Sequence, residues 1–85
     1  MASKKDFKKD LNRMVFDVVE ECFSIQLYNE TKTQVTNELI EEVINFRNGM
    51  TEKIHKAKTN KDFPAIRKEA EEAAEDFVLK LNNLL

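Results

Sequence analysis

An all-α fold, an antiparallel up-down-up three-helix bundle filling residues 1–85 as a single helical domain, is what this sequence predicts. One glycine and one proline in 85 residues leave almost no turn chemistry. Apolar residues recur at spacings of three and four through three long runs. Two short polar segments separate the runs, and connections of that length make successive helices antiparallel neighbours.

The first helix is expected over about residues 3–29. Ser3 followed by Asp6 has the form of a capping box, and Phe7, Leu11, Met14, Val18, Cys22 and Ile25 then share one side. A second apolar stripe, Phe16, Val19, Phe23 and Leu27, makes the apolar arc of this helix wider than one seam needs. The polar break Asn29-Glu30-Thr31-Lys32-Thr33 offers cap-type side chains and opens the second helix, expected over 33–58. Its apolar positions are Val35, Leu39, Ile40, Val43, Ile44, Met50, Ile54 and Ala57. Asn48-Gly49 is a turn signal, but the stripe runs through it without a phase shift and Gly49 falls on the polar side, so the helix is read as continuous, with a kink there as the alternative. Thr59-Asn60-Lys61-Asp62 forms the next connection, and Pro64 suits the first turn of a third helix over 63–84. There Phe63, Ile66, Ala70, Ala73, Phe77, Leu81 and Leu84 make a heptad whose alanines present a thin surface, with Phe16, Phe23 and Phe46 as expected fillers.

Charge comes in four alternating blocks. Residues 1–13 carry a net +3, 14–46 a net −6, 47–68 a net +5 and 69–85 a net −4. In an up-down-up bundle the two basic blocks gather at one end and the two acidic blocks at the other. Screening over about 8 Å makes each end act independently on a partner.

Several classes of function find no support. No apolar run reaches the roughly 20 residues of a membrane span, and no apolar stretch of a signal peptide follows the basic start, so no membrane role and a cytoplasmic location are expected. The lone Cys22 has no internal disulfide partner and lies on the main apolar stripe, where it packs as a small hydrophobe. Glu52-Lys53-Ile54-His55 has the Glu-x-x-His spacing of di-metal bundles, but such sites need the motif twice, and one histidine is present. Leu81 and Leu84 of the Leu-x-x-Leu-Leu tail simply complete the heptad. No catalytic residue, cofactor or metal site is therefore assigned, and an enzyme is not expected.

Lys4-Lys5-Asp6, Leu11-Asn12, Glu21-Cys22-Phe23 and Arg47-Asn48 resemble positions in a group of small, uncharacterised bacterial helical proteins. The resemblance spans most of the chain, implies the continuous second helix, and carries no activity.

The reading that follows is a non-enzymatic helical interaction or structural module. Its leading form is an antiparallel homodimer through Phe16, Val19, Phe23 and Leu27, the alternative fate of that stripe being burial between two neighbours inside the bundle. A second form binds an acidic partner, an unidentified protein or nucleic acid, through Lys4, Lys5, Lys8, Lys9, Lys53, Lys56, Lys58 and Lys61. Nucleic acid is the less favoured, because the chain is acidic overall and offers no aromatic stacking platform. Arg47 points into the apolar arc of the second helix, where an unpaired guanidinium is costly, so a core ion pair with Asp17, Glu75 or Asp76 is expected. Its alternative is a stem laid along the core edge with the charge reaching water.

Overall fold

A computed structural model describes residues 4–57 and 62–84. Helix α1 runs Lys4–Tyr28, a single 3₁₀ turn follows at Glu30–Lys32, α2 runs Thr33–Lys56 and α3 runs Asp62–Leu84. There is no strand among the described residues, so the protein is all-α with three helices. The molecule is elongated, 46 × 17 × 15 Å. The long dimension is close to the length of a single helix, since 25 residues at 1.5 Å each span about 37 Å.

Local chemistry explains the punctuation. Asn29 leaves the helical region, at φ −149° and ψ 97°, and its Oδ1 accepts from the Thr31 amide at 3.1 Å and from the Thr31 hydroxyl at 2.6 Å. α2 ends where Ala57 turns extended, with its amide bonded back to the carbonyls of Lys53 and Ile54. Lys53 and Lys56 in that last turn complement the negative end of the helix dipole. α2 is continuous through Gly49, which is exposed and has open space where a Cβ would project. The Ser3 cap and the Thr59-Asn60-Lys61 segment lie outside the described residues.

Side chains fix which ends meet. Lys8 Nζ donates to His55 Nε2 at 3.2 Å, and Gln26 Nε2 donates to Thr36 Oγ1 at 2.8 Å and to Asn37 Oδ1 at 2.8 Å, joining α1 to α2 near both of its ends. Phe7 packs edge-on against Phe63 with ring centroids 5.5 Å apart, joining the beginnings of α1 and α3. Lys53 reaches Glu69 at 2.7 Å and Lys80 reaches Glu42 at 2.6 Å, joining α2 to α3, and Lys32 Nζ donates to the Leu84 carbonyl.

The core has two parts. One centres on Phe7, Leu11, Met50, Ile54 and Ala70, with Phe63 and Ile66 against it. The other contains Val15, Val18, Cys22, Ile25, Leu39, Val43, Phe77 and Leu81. Met14 and Phe46 touch both. Thr36 is fully buried, which its apolar neighbours tolerate because its hydroxyl donates one turn back along the chain, to the carbonyl of Lys32 (2.8 Å) or Thr33 (3.0 Å), while accepting from Gln26.

Two packing expectations need correction. Val35 and Ile44, counted among the apolar positions of α2, do not share the side of the others and are exposed, because the inward line runs through Thr36, Val43, Met50 and Ala57 at sevenfold spacing and these two stand roughly 80–100° to either side of it. Phe16 and Phe23 do not fill the space beside the α3 alanines, since they leave α1 on another side and are 65% and 52% exposed. Phe46 alone of the three packs on α3, with its ring 5.7 Å from that of Phe77. Beside Ala70 and Ala74 an open cleft of about 180 Å³ remains, floored by Phe7, Leu11 and Met14.

Candidate docking surface

A line of exposed apolar side chains runs along α1. Phe16 is 65% exposed, Phe23 52% and Leu27 86%, and Val19 between them is half-buried against the second core cluster. A helix that faces two neighbours buries one arc of about half its circumference, and the residues one or two positions after the buried Val15, Val18, Cys22 and Ile25 necessarily turn to the opposite side. The hydrogen bonds from Lys8 and Gln26 set α1 and α2 in a constant offset. That offset brings Ile44 level with Val19 and Ile40 level with Phe23, so the exposed flank of α2 extends the stripe. Tyr28, 92% exposed, stands about 100° round the helix from Leu27 and borders a different cleft, with Glu21, Ser24 and Leu84.

The cations proposed for an acidic partner are only partly free. Lys5 and Lys9 are exposed, and Lys8 is half-buried and engaged with His55. Lys53 is bound to Glu69, and Lys56 to Glu52 at 2.9 Å. That contact holds the Glu52 carboxyl below its ordinary range and the Lys56 ammonium above its own, in both cases chiefly through the hydrogen bond and then the opposite charge. Lys58, Lys61 and the side chain of Lys4 lie outside the described residues. On α3 nearby, Arg67 is paired with Glu71 at 3.5 Å. Acidic side chains are thus interleaved with the basic ones.

The core ion pair expected at Arg47 is not formed. Arg47 is half-buried, its Nε is buried with no hydrogen-bond partner, and neither Asp17, Glu75 nor Asp76 bonds to it. Asp76 instead pairs with Lys80 at 3.3 Å, and Asp17 borders a cleft between α1 and α3 with Arg13, Glu21 and Val78. Solvated carboxylates on other faces gain nothing by entering the core edge.

Chemically reactive groups do not converge. Cys22 is fully buried, and burial, then the charge of Glu21, pushes its thiol above the ordinary range. His55 and Glu52 are exposed and engaged by different lysines. Among the described residues no group of three His, Cys, Asp or Glu side chains is placed to hold a metal ion, and no helix is long and apolar enough to cross a membrane. No family model, curated protein or solved structure matches the chain.

Sequence reasoning missed the Gln26–Thr36 hydrogen bond and the exposed Ile44. The first carried a signal: Thr36 lies seven residues before Val43, which in turn lies seven before Met50, on the innermost line of α2.

Proposed function

We propose that the protein is a non-enzymatic helical interaction module, an antiparallel up-down-up bundle that docks another protein through the exposed apolar stripe of α1. The observation that carries it is the exposure of Phe16, Phe23 and Leu27 on one helix face whose opposite side is fully committed to the core. Isolated exposed apolar residues are ordinary in a monomer, but three large ones in line, extended by Ile44, form a patch of the kind that marks a protein contact. The up-down-up order is supported by the contacts Lys8–His55, Gln26–Thr36, Phe7–Phe63 and Lys80–Glu42, each of which joins the ends that such an order brings together. The burial of Cys22 and the separate engagement of His55 and Glu52 speak for binding rather than catalysis, and a cytoplasmic setting suits a free buried thiol.

The test is the double variant Phe16→Glu/Phe23→Glu. Its thermal stability as a monomer is expected to stay near that of the parent, while self-association in sedimentation, and whatever co-purifies with the tagged chain from its own cells, is lost. A variant that associates and captures as the parent does ends the docking reading.

A further inference from the structure

The three seams of the molecule are not closed alike. α1 and α2 are joined by Lys8–His55 and Gln26–Thr36, and α2 and α3 by Lys53–Glu69, Lys80–Glu42 and the Phe46–Phe77 ring contact. From Asp10 to Tyr28, by contrast, no side chain of α1 bonds to α3 among the described residues. Three open clefts of about 180, 430 and 240 Å³ follow one another along this seam. The first two share Asp10 and Met14 and the last two share Glu21, so they form one groove from Phe7 to Tyr28, about 32 Å long at 1.5 Å per residue. It stays open because α3 lines it with Ala70 and Ala74, which are too short to fill it, and with Val78, which is left 52% exposed.

The lip on the α1 side is acidic. At 100° per residue Asp10, Asp17 and Glu21 lie within about 40° of one line, and all three are exposed. Among the described residues none of them takes part in an ion pair, whereas Glu42, Glu52, Glu69, Glu71 and Asp76 all do. Arg13 is the one cation lining that side, and on the α3 side Arg67 is already neutralised by Glu71. The acidic line stands roughly 100–140° round α1 from Phe16, so the groove and the outer stripe are separate surfaces.

A long groove with an apolar floor has the shape that takes the apolar side of a helix, and the charges on its lip decide which helix. An acidic helix would set like charges beside Asp10, Asp17 and Glu21, whereas a basic one supplies the partners they lack. We propose that the α1–α3 groove receives a cationic amphipathic helix of another protein, which completes a four-helix bundle. The apolar side of that helix rests on Met14, Val18, Ala74 and Val78, at about 8–10 Å from the axes of α1 and α3. Lys or Arg side chains on one flank, at intervals of seven and four residues, meet the three carboxylates. The groove and its occupant are independent of docking at the outer stripe, and either can fail without the other.

The probe is a peptide of about 20 residues, the length of the groove, with Leu along one side and Lys on both flanks, together with a twin in which Glu replaces every Lys. Each is titrated into the isotope-labelled full chain at low salt and followed by NMR. The Lys peptide is expected to bind at micromolar concentration and to shift the signals of Met14, Ala74 and Val78, and the Glu twin to bind at least about tenfold more weakly. Asp10→Asn/Asp17→Asn/Glu21→Gln is expected to weaken the Lys peptide about tenfold, a loss that shrinks as salt rises. Ala74→Phe keeps every charge and fills the groove, and is expected to cost at least as much. Circular dichroism melts check that each variant folds, and Val78→Phe, at an exposed position, serves the same purpose if Ala74→Phe does not. No binding at millimolar peptide, equal affinity for the two peptides, or indifference to the filled groove overturns the proposal. Signals shifted only at Phe16, Phe23 and Leu27 overturn it in favour of the outer stripe. A parent chain that dimerises in sedimentation and becomes monomeric in the carboxylate variant makes the occupant a second copy, which also overturns it.

Discussion

Val15 and Phe16 are neighbours on α1, yet Val15 is 7% exposed and Phe16 65%. The same contrast repeats along the helix, with Val18, Cys22 and Ile25 packed between α2 and α3 while Phe23 and Leu27 stand in water. Both stripes have helical spacing and both are strongly apolar, so hydrophobicity does not separate them. What separates them is the number of neighbours. A helix in a three-helix arrangement touches two others, and two contacts cover about half its circumference. The surplus arc is left for a partner or for solvent.

The sharpest test of that difference is a pair of truncations on the two sides of α1. Ile25→Ala is expected to cost about 2–5 kcal/mol in thermal or denaturant unfolding, from lost burial and the cavity left behind, whereas Leu27→Ala is expected to stay within about 0.5 kcal/mol for the monomer. Equal costs would mean that the outer stripe is packed against the bundle after all. Arg47 sharpens the comparison where the stripes part, since the offset between α1 and α2 puts it level with Val15 and Phe16. Arg47→Met removes a buried donor that has no partner while keeping the apolar stem, so a gain of about 1 kcal/mol is expected. A loss of that size would show a guanidinium held in place by water or by a docked partner.

Smaller effects come from the solvent side. Gly49→Ala is expected to stabilise α2 by about 0.5–1 kcal/mol, because the position is helical, exposed and open around the new methyl group. If it destabilises, that side of α2 is in contact with something. The smallest effect is that of pH on the Glu52–Lys56 contact. Glu52 titrates below its unfolded value, so what it adds to stability is complete above that value and is lost as pH falls through the folded one. Glu52→Gln is expected to flatten the acid limb of a melting-temperature profile by a barely measurable amount, the pair being fully exposed.

Much of this architecture was legible from spacing and punctuation alone. The three helices follow from apolar periodicity, the break at Asn29 from a side chain able to cap, and the passage of α2 through Gly49 from a stripe that keeps its phase. The candidate surface was legible as a set of residues, since Phe16, Val19, Phe23 and Leu27 stand out on any helical projection, but their exposure was not. Periodicity reports that a side is apolar and stays silent on whether another helix covers it. For the same reason Val35 and Ile44 read as core though they are exposed, Thr36 went unnoticed though it is fully buried, and Arg47 was given a carboxylate that packs elsewhere.

By itself the sequence determined the local order of this chain: where helices start and stop, which sides are apolar, and how charge alternates along them, because each of these depends on residues within a turn or two of one another. Only the tertiary structure decided which of two equally apolar stripes on α1 is buried and whether Arg47 finds a partner. Those outcomes depend on the angle at which each helix meets its neighbours, a property of three surfaces at once that no single segment encodes.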